Sequence, residues 1–203
     1  QDLVKQAFIQ RDFLKPDQYL LAVNSINWTR IVGQICYYFF AYNRLANHEN
    51  LNFSIPTGNF GNVFACYSAF KMGLPIKTIS VAVNDNDILH RFFASNDYSK
   101  KQVHETISPS MDISVASNFE RLVYDFFLDR STAKCAELFN NFPNQGIELD
   151  EAIWNKKNDL FSSSSVDDAA TQAIIQSINN EHRYLLDPHT AVAMQEAIEA
   201  SSS

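Results

Sequence analysis

Between residues 51 and 83 the hydrophobic pattern changes period twice. Leu51, Phe53 and Ile55 alternate with polar neighbours, the two-residue period of a half-buried strand. A break of small and polar residues follows; Val63, Cys66, Tyr67 and Phe70 then recur at helical spacing, and Ile76 to Val83 reads as a second strand. The unit spans about 30 residues, the length of a βαβ crossover. It predicts an α/β fold in three layers, with parallel strands and helices on both faces. Upstream, Asn24 and Ser25 are strong helix caps before a long helix whose apolar face reads Ile31, Ile35, Tyr38, Phe39 and Tyr42. Downstream, short helices are predicted from Ile88 to Phe93, near Ser131 to Asn140 and from Asp167 to Ile178. A last helix starts near Thr190, where Asp187-Pro188 suits a helix N-terminus. Asn155 to Asp159 and Ser162 to Ser165 read as a polar, low-complexity link.

The break between strand and helix, Ser54-Ile55-Pro56-Thr57-Gly58-Asn59-Phe60-Gly61-Asn62, carries two glycines where the chain must turn sharply. Such a turn brings backbone N–H groups and a helix N-terminus to one point, where anions bind. A Cβ at either glycine would hinder the backbone angles of the turn and the approach of a phosphate. An ordinary turn is the competing reading. The loop is not a P-loop, since no Lys-Ser or Lys-Thr follows, and it lacks the G-x-G-x-x-G dinucleotide spacing. Arg30, about one turn inside the helix capped by Asn24 and Ser25, makes a second anion-suited helix start. A capped helix with a solvated arginine is the alternative there.

Composition narrows the classes. A net charge of −7 and a pI near 5.1 argue against nucleic acid, which requires a basic face. The longest apolar stretch, Ile35 to Tyr42, is far short of the ~20 residues of a membrane span, so no membrane partner and a cytoplasmic location are expected. At 203 residues, 46% of them hydrophobic, one domain or a domain with an appendage is expected. Sixteen phenylalanines and eight tyrosines predict some aromatic faces left exposed in this chain alone. Cys36, Cys66 and Cys135 form no C-x-x-C pair, and Cys36 and Cys66 read as buried thiols. His104, His182 and His189 lack metal-ligand spacing, so no metal is expected. His90-Arg91, after Asn84-Asp85-Asn86-Asp87, reads as solvated helix capping.

Taken together, these motifs resemble the threonine synthase family. The resemblance runs through Asn24 to Ile31, Pro56 to Asn62, Lys71 to Ile76, Asn84 to Leu89, Ser108 to Ser114, Ser117 to Arg121 and Leu186 to Ala193. It covers residues 20 to 125 and 184 to 194, with the spacing of the long bacterial and fungal branch. It implies part of the large domain of a fold-type-II pyridoxal enzyme. The implied domains are an α/β core binding the phosphate of pyridoxal 5′-phosphate over 1–130, a helical insertion with a polar linker over 131–181, and a return helix over 182–203.

The implied reaction converts O-phospho-L-homoserine and water to L-threonine and phosphate. Thr57, Gly58, Asn59, Phe60, Gly61 and Asn62 would hold the cofactor phosphate through main-chain N–H groups. Asn24, Ser25 and Arg30, with Asn62 reaching across, would hold the substrate phosphate. The family's Schiff-base lysine, between a phenylalanine and an aspartate, has no counterpart in these residues. Lys71, at a helix end, is assigned no catalytic role, and neither is Asp112. The chain is therefore expected to be an internal fragment, inactive by itself, whose partners are the missing N- and C-terminal parts of the same enzyme. A threonine-synthase-like phospho-lyase that stops after elimination shares every motif, and a non-catalytic phosphate-binding module is the alternative from another class.

Overall fold

The sequence folds around three parallel strands, here seen in a computed structural model that describes residues 10, 12–20, 26–45 and 51–201. β1 (Leu51–Pro56), β2 (Ile76–Val83) and β3 (Phe161–Ser165) lie in the order β1-β2-β3. The predicted βαβ unit is present, with α2 (Gly61–Lys71) as its crossover helix. β3 is the serine run expected to be a polar linker, and that expectation is corrected here.

The register explains how a run of serines makes a strand. Ser54, Ser80 and Ser162 share one rung across the sheet, and side chains on one rung point to one face. Ser54 donates to the Ala193 carbonyl (2.7 Å), Ser80 and Ser162 hydroxyls lie 2.6 Å apart, and Ser162 reaches Glu196 Oε1 at 3.3 Å. These partners satisfy the hydroxyls of that rung against the last helix, leaving Ser164 Oγ buried without one among the described residues, so the run forms a strand without apolar alternation. The neighbouring rung, Phe53, Ile79 and Phe161, points to the opposite, apolar face.

That apolar face packs on an aromatic cluster. The Phe161 ring lies 5.4 Å from Phe93, 5.3 Å from Phe126 and 6.2 Å from Tyr67. Behind them Phe60, Phe92, Tyr98, Phe119 and Phe127 are fully buried, which accounts for much of the phenylalanine content. α1 (Trp28–Arg44) buries Ile31, Ile35 and Tyr38 as predicted, with Phe39 and Tyr42 partly buried. Its outer side exposes Trp28, Val32, Tyr37 and Phe40, an apolar face of the kind the composition predicts. Cys36 lies on that outer side and is exposed, not buried as expected, whereas Cys66 and Cys135 are buried. Phe70 is also exposed. α2 is packed on nearly every side, burying Phe64, Ala65 and Ala69 as well, and its only open stripe falls at its C-terminal end.

The remaining helices are α3 (Ile88–Ser95), α4 (Phe119–Leu122) running into a π-helical turn at Val123–Phe127, α5 (Thr132–Gln145), α6 (Glu151–Trp154), α7 (Asp168–His182) and α8 (Pro188–Ser201). Ser131 and Asp167 cap α5 and α7, accepting from Lys134 and Ala170 N–H groups. Pro188 opens α8 as its first residue. α5 runs five residues past its predicted end, through Pro143. Among the described residues no helix is long and apolar enough to cross a membrane.

Candidate functional site

The carboxyl ends of the strands gather the candidate residues. Thr57 N–H still donates to the Ala82 carbonyl (3.0 Å), so the turn into α2 leaves from the sheet edge where open α/β folds place their ligands. Phe60 makes that turn. Its φ of 64° is left-handed, a conformation costing an L-residue roughly 1–2 kcal/mol. Its ring is wholly buried, 5.5 Å from Phe119 and 6.4 Å from Phe93, and a buried phenyl group stabilises by about 1.5–3 kcal/mol. The strain is offset by the anchor.

The glycines, expected to supply the unusual backbone angles, do not. The left-handed glycines are Gly73 and Gly146. Gly58 is required for close approach, because a Cβ there would lie 2.7 Å from the Ser110 carbonyl oxygen and 3.0 Å from Met111 Cα. A Cβ on Gly61 would meet Ile31 at 3.4 Å and Asn118 and Gln34 at 3.5 Å, which is ordinary contact with no slack for a larger side chain.

α2 begins without a cap. Phe60 offers no side-chain acceptor and the first turn contains no acidic residue. The N–H groups of Gly61, Asn62 and Val63 therefore have no intrahelical acceptor and form the positive end of the helix dipole. This donor set, in a loop where Thr57, Gly58, Phe60 and Gly61 are buried, fits an oxyanion such as a phosphate.

α1 runs alongside. Its cap is Asn27, whose Oδ1 accepts from Thr29 N–H at 2.9 Å. The expected caps Asn24 and Ser25 lie outside the described residues. Arg30 is the third residue of α1 and is exposed. The two helices are pinned where Tyr38 donates toward Asn62, its hydroxyl 2.7 Å from Oδ1 and 3.0 Å from the carbonyl oxygen. Burial raises the Tyr38 pKa and keeps the hydroxyl a donor. The Asn62 amide is thereby oriented with its nitrogen away from Tyr38.

Several residues that sequence reasoning left aside hold this loop from behind. Asn118, fully buried, donates both its backbone N–H and its Nδ2 to the Asn59 carbonyl, each at 3.1 Å. Ser117 donates to Asn59 Oδ1 at 3.2 Å. Asp112 forms a second support: Oδ1 accepts from Asn84 Nδ2 (2.8 Å), Asn86 Nδ2 (2.9 Å) and the Thr106 hydroxyl (2.7 Å), and Oδ2 accepts from Thr106 N–H (2.9 Å). Asn84 and Asn86 are buried. The cluster read as solvated capping is a buried network tying the end of β2 to the segment that backs Gly58. Arg91 is buried too, paired with Asp87 and Asp97.

His189 steadies the same segment, accepting from Ser110 N–H at Nε2 (3.3 Å) while Nδ1 lies 3.2 Å from Asp187 Oδ1. This assigns the ring proton to Nδ1. Asp187 caps α8, and the Thr190 hydroxyl it accepts holds its carboxyl below the usual range. Lys71 ends α2, remote from the turn. Among the described residues no group of three or more His, Cys, Asp or Glu could hold a metal.

Comparison with known proteins gives this geometry a family. A threonine synthase of Pseudomonas aeruginosa is 46% identical over 205 residues, covering all of this chain and 43% of that protein. The crystal structure of a threonine synthase with bound pyridoxal phosphate, from Brucella melitensis, superposes with a TM-score of 0.90 at 40% identity, over 98% of this chain and 43% of that one. Human threonine synthase-like 1 is more distant, 33% identical over 95% of this chain and 28% of its own length. No family profile matches. The fold, a parallel sheet with helices on both faces, is that of fold-type-II pyridoxal enzymes. Within that class the sequence places this chain in the threonine synthase family, over a segment spanning about 43% of the length of those relatives.

Proposed function

We propose that this chain supplies the cofactor-phosphate and substrate-phosphate sites of a threonine synthase. The reaction is conversion of O-phospho-L-homoserine and water to L-threonine and phosphate. The observation that carries this reading is the uncapped start of α2, at the carboxyl ends of the strands and beside the start of α1. Main-chain N–H groups of Gly58 to Asn62, with Thr57, hold the phosphate of pyridoxal 5′-phosphate. When bound, that group supplies the electron sink for eliminating the substrate's phosphate. The remaining work falls to side chains of this chain. Arg30, Asn24, Ser25 and the Asn62 amide hold the substrate phosphate, and a guanidinium there stabilises charge gathering on the departing group. Tyr38 fixes the Asn62 amide, and the two donors of Asn118 on the Asn59 carbonyl hold the loop from behind.

The test uses the protein that carries this segment at full length. Phosphate and threonine are expected in equal amounts from O-phospho-L-homoserine, and Arg30→Leu is expected to raise KM and, where the contact tightens as phosphate departs, to lower kcat. Phosphate released with ammonia and a keto acid in place of threonine would assign the phospho-lyase reading, and absence of any turnover would leave a phosphate-binding module.

A further inference from the structure

Besides the Tyr38–Asn62 contact, the two proposed phosphate sites are linked from behind by a side chain that the reaction does not otherwise use. Arg121, the third residue of α4 and two residues before the π-helical turn, donates from Nε to Asn118 Oδ1 at 3.0 Å. From Nη2 it donates to the Ile26 carbonyl at 2.8 Å. Its guanidinium carbon lies 5.6 Å from the Trp28 ring centroid, within cation–π range. Asn118 in turn grips the Asn59 carbonyl with two donors. Ile26 immediately precedes Asn27, the cap of α1. One guanidinium therefore spans from the loop proposed for the cofactor phosphate to the chain entering the helix proposed for the substrate phosphate.

The chemistry requires an arginine. Its planar fork presents donors in fixed directions to two acceptors on different elements and stacks on an indole, which a lysine's single ammonium cannot do together. Both acceptors are neutral and so do not compensate the guanidinium, which sits at a helix start where a cation is unfavourable to the dipole. An anion bound at the start of α1 offsets that cost.

Resting on the proposed function, we infer that Arg121 is a positioning residue that fixes the start of α1 relative to the Asn59 turn and thereby sets affinity for the substrate phosphate. The two ends of the strut are unequal. Asn118 still holds Asn59 by two hydrogen bonds when Arg121 is removed, whereas the Ile26 carbonyl loses the Nη2 donor and Trp28 loses the cation on its face. Removing Arg121 therefore loosens the substrate side and spares the cofactor side.

The experiment uses the full-length protein and four variants: Arg121→Ala, Arg121→Lys, Arg30→Leu and the double Arg30→Leu/Arg121→Ala. Losing one charged hydrogen bond is expected to raise KM for O-phospho-L-homoserine by about tenfold in Arg121→Ala, with kcat and pyridoxal phosphate affinity, read from cofactor absorbance, changed less than about threefold. Arg121→Lys is expected to fall between Arg121→Ala and the parent. In the double variant the effects are expected to fall short of the product of the single ones, because both act on one phosphate. Unchanged KM in Arg121→Ala, or a rise in KM matched by parallel losses of cofactor affinity and melting temperature, overturns the inference and leaves Arg121 a plain packing residue. Independent, multiplicative effects also overturn it. A failure of the functional reading looks different: the unaltered protein then releases no phosphate, and inorganic phosphate binding, compared between parent and Arg121→Ala, still decides whether Arg121 tunes the site.

Discussion

Gly58 and Gly61 occupy one short turn, yet the structure assigns them opposite tolerances to a methyl group. At Gly58 the added Cβ would meet backbone on the far side, Ser110 O at 2.7 Å and Met111 Cα at 3.0 Å, so no rotamer change relieves the clash. The segment carrying Ser110 is itself held by the Asp112 network and by His189. Either that segment moves or the loop does, and overpacking of this kind costs about 1–3 kcal/mol. For a domain of this size each kcal/mol lowers Tm by about 2–4 °C, so Gly58→Ala is expected to melt several degrees below the parent and to lose affinity for pyridoxal phosphate. At Gly61 the nearest atoms are side-chain ends at 3.4–3.5 Å, and Gly61→Ala is expected to melt within about 1–2 °C of the parent. The assay is thermal denaturation with and without cofactor, alongside cofactor titration. Equal behaviour of the two variants, or a Gly58→Ala protein with parental cofactor affinity, would refute the argument that close approach at Gly58 shapes the phosphate turn.

Three further outcomes are expected. Burial raises the Asp125 pKa, but hydrogen bonds from Tyr67 (2.6 Å) and Arg130 (2.5 Å) and the Arg130 charge outweigh it and hold the carboxyl below its usual range. Its stabilisation is thus complete above the unfolded value of about 3.9 and fades as pH falls through the lowered folded one. Asp125→Asn should flatten the acid limb of a Tm-against-pH curve below about pH 4. Tyr98→Phe removes the buried hydroxyl that accepts from Ala116 N–H at 2.9 Å and should cost about 1–3 kcal/mol, read by denaturant unfolding. The 203 residues alone, incubated with pyridoxal phosphate and reduced with borohydride, should show scattered, substoichiometric lysine labelling by mass spectrometry; stoichiometric labelling at one lysine with phosphate release would place a catalytic lysine within this segment.

The parts of the fold visible in the sequence were those where one element's own pattern decides its state. β1, α2 and β2 were marked by runs whose period or length lies within the element itself, and β2 falls at the predicted Ile76 to Val83. β3 is different. Ser162 meets Ser80 and Glu196, partners 82 and 34 residues away, and Ser163 and Ser165 meet His90 and the Asn84 carbonyl, which no local period encodes. Phe70 misled for a related reason, because α2, between the sheet and α1, buries residues by position rather than by stripe, whereas Cys36 follows the buried Ile35 but falls on the outer side of α1. The same holds for Asn84 and Asn86, whose polar run looks like a solvated cap until Asp112 is folded onto it.

The candidate site divides along the same line. A strand-to-helix break with small residues was enough to mark the turn, because uncapped N–H groups at a helix start follow from local chain geometry alone. Which residue bears the strain was not legible, since glycine is the default for a left-handed position and here the position belongs to Phe60. A phenyl ring can sit there only because Phe119 and Phe93, 59 and 33 residues on, make a pocket for it. This arrangement has a consequence that a glycine in the same place would lack. A glycine turn is set by its own dihedrals and stays adjustable, whereas the Phe60 turn is set by the packed core, so the geometry of the proposed phosphate loop depends on the packing of the aromatic cluster. Asn118 belongs to both, following Ser117 and preceding Phe119, with its amide on Asn59 and its neighbour's ring against Phe60. Substitutions deep in the cluster should therefore lower cofactor affinity through Phe60 rather than through any contact with the phosphate, and a cluster variant that loses stability but keeps parental cofactor affinity would refute this.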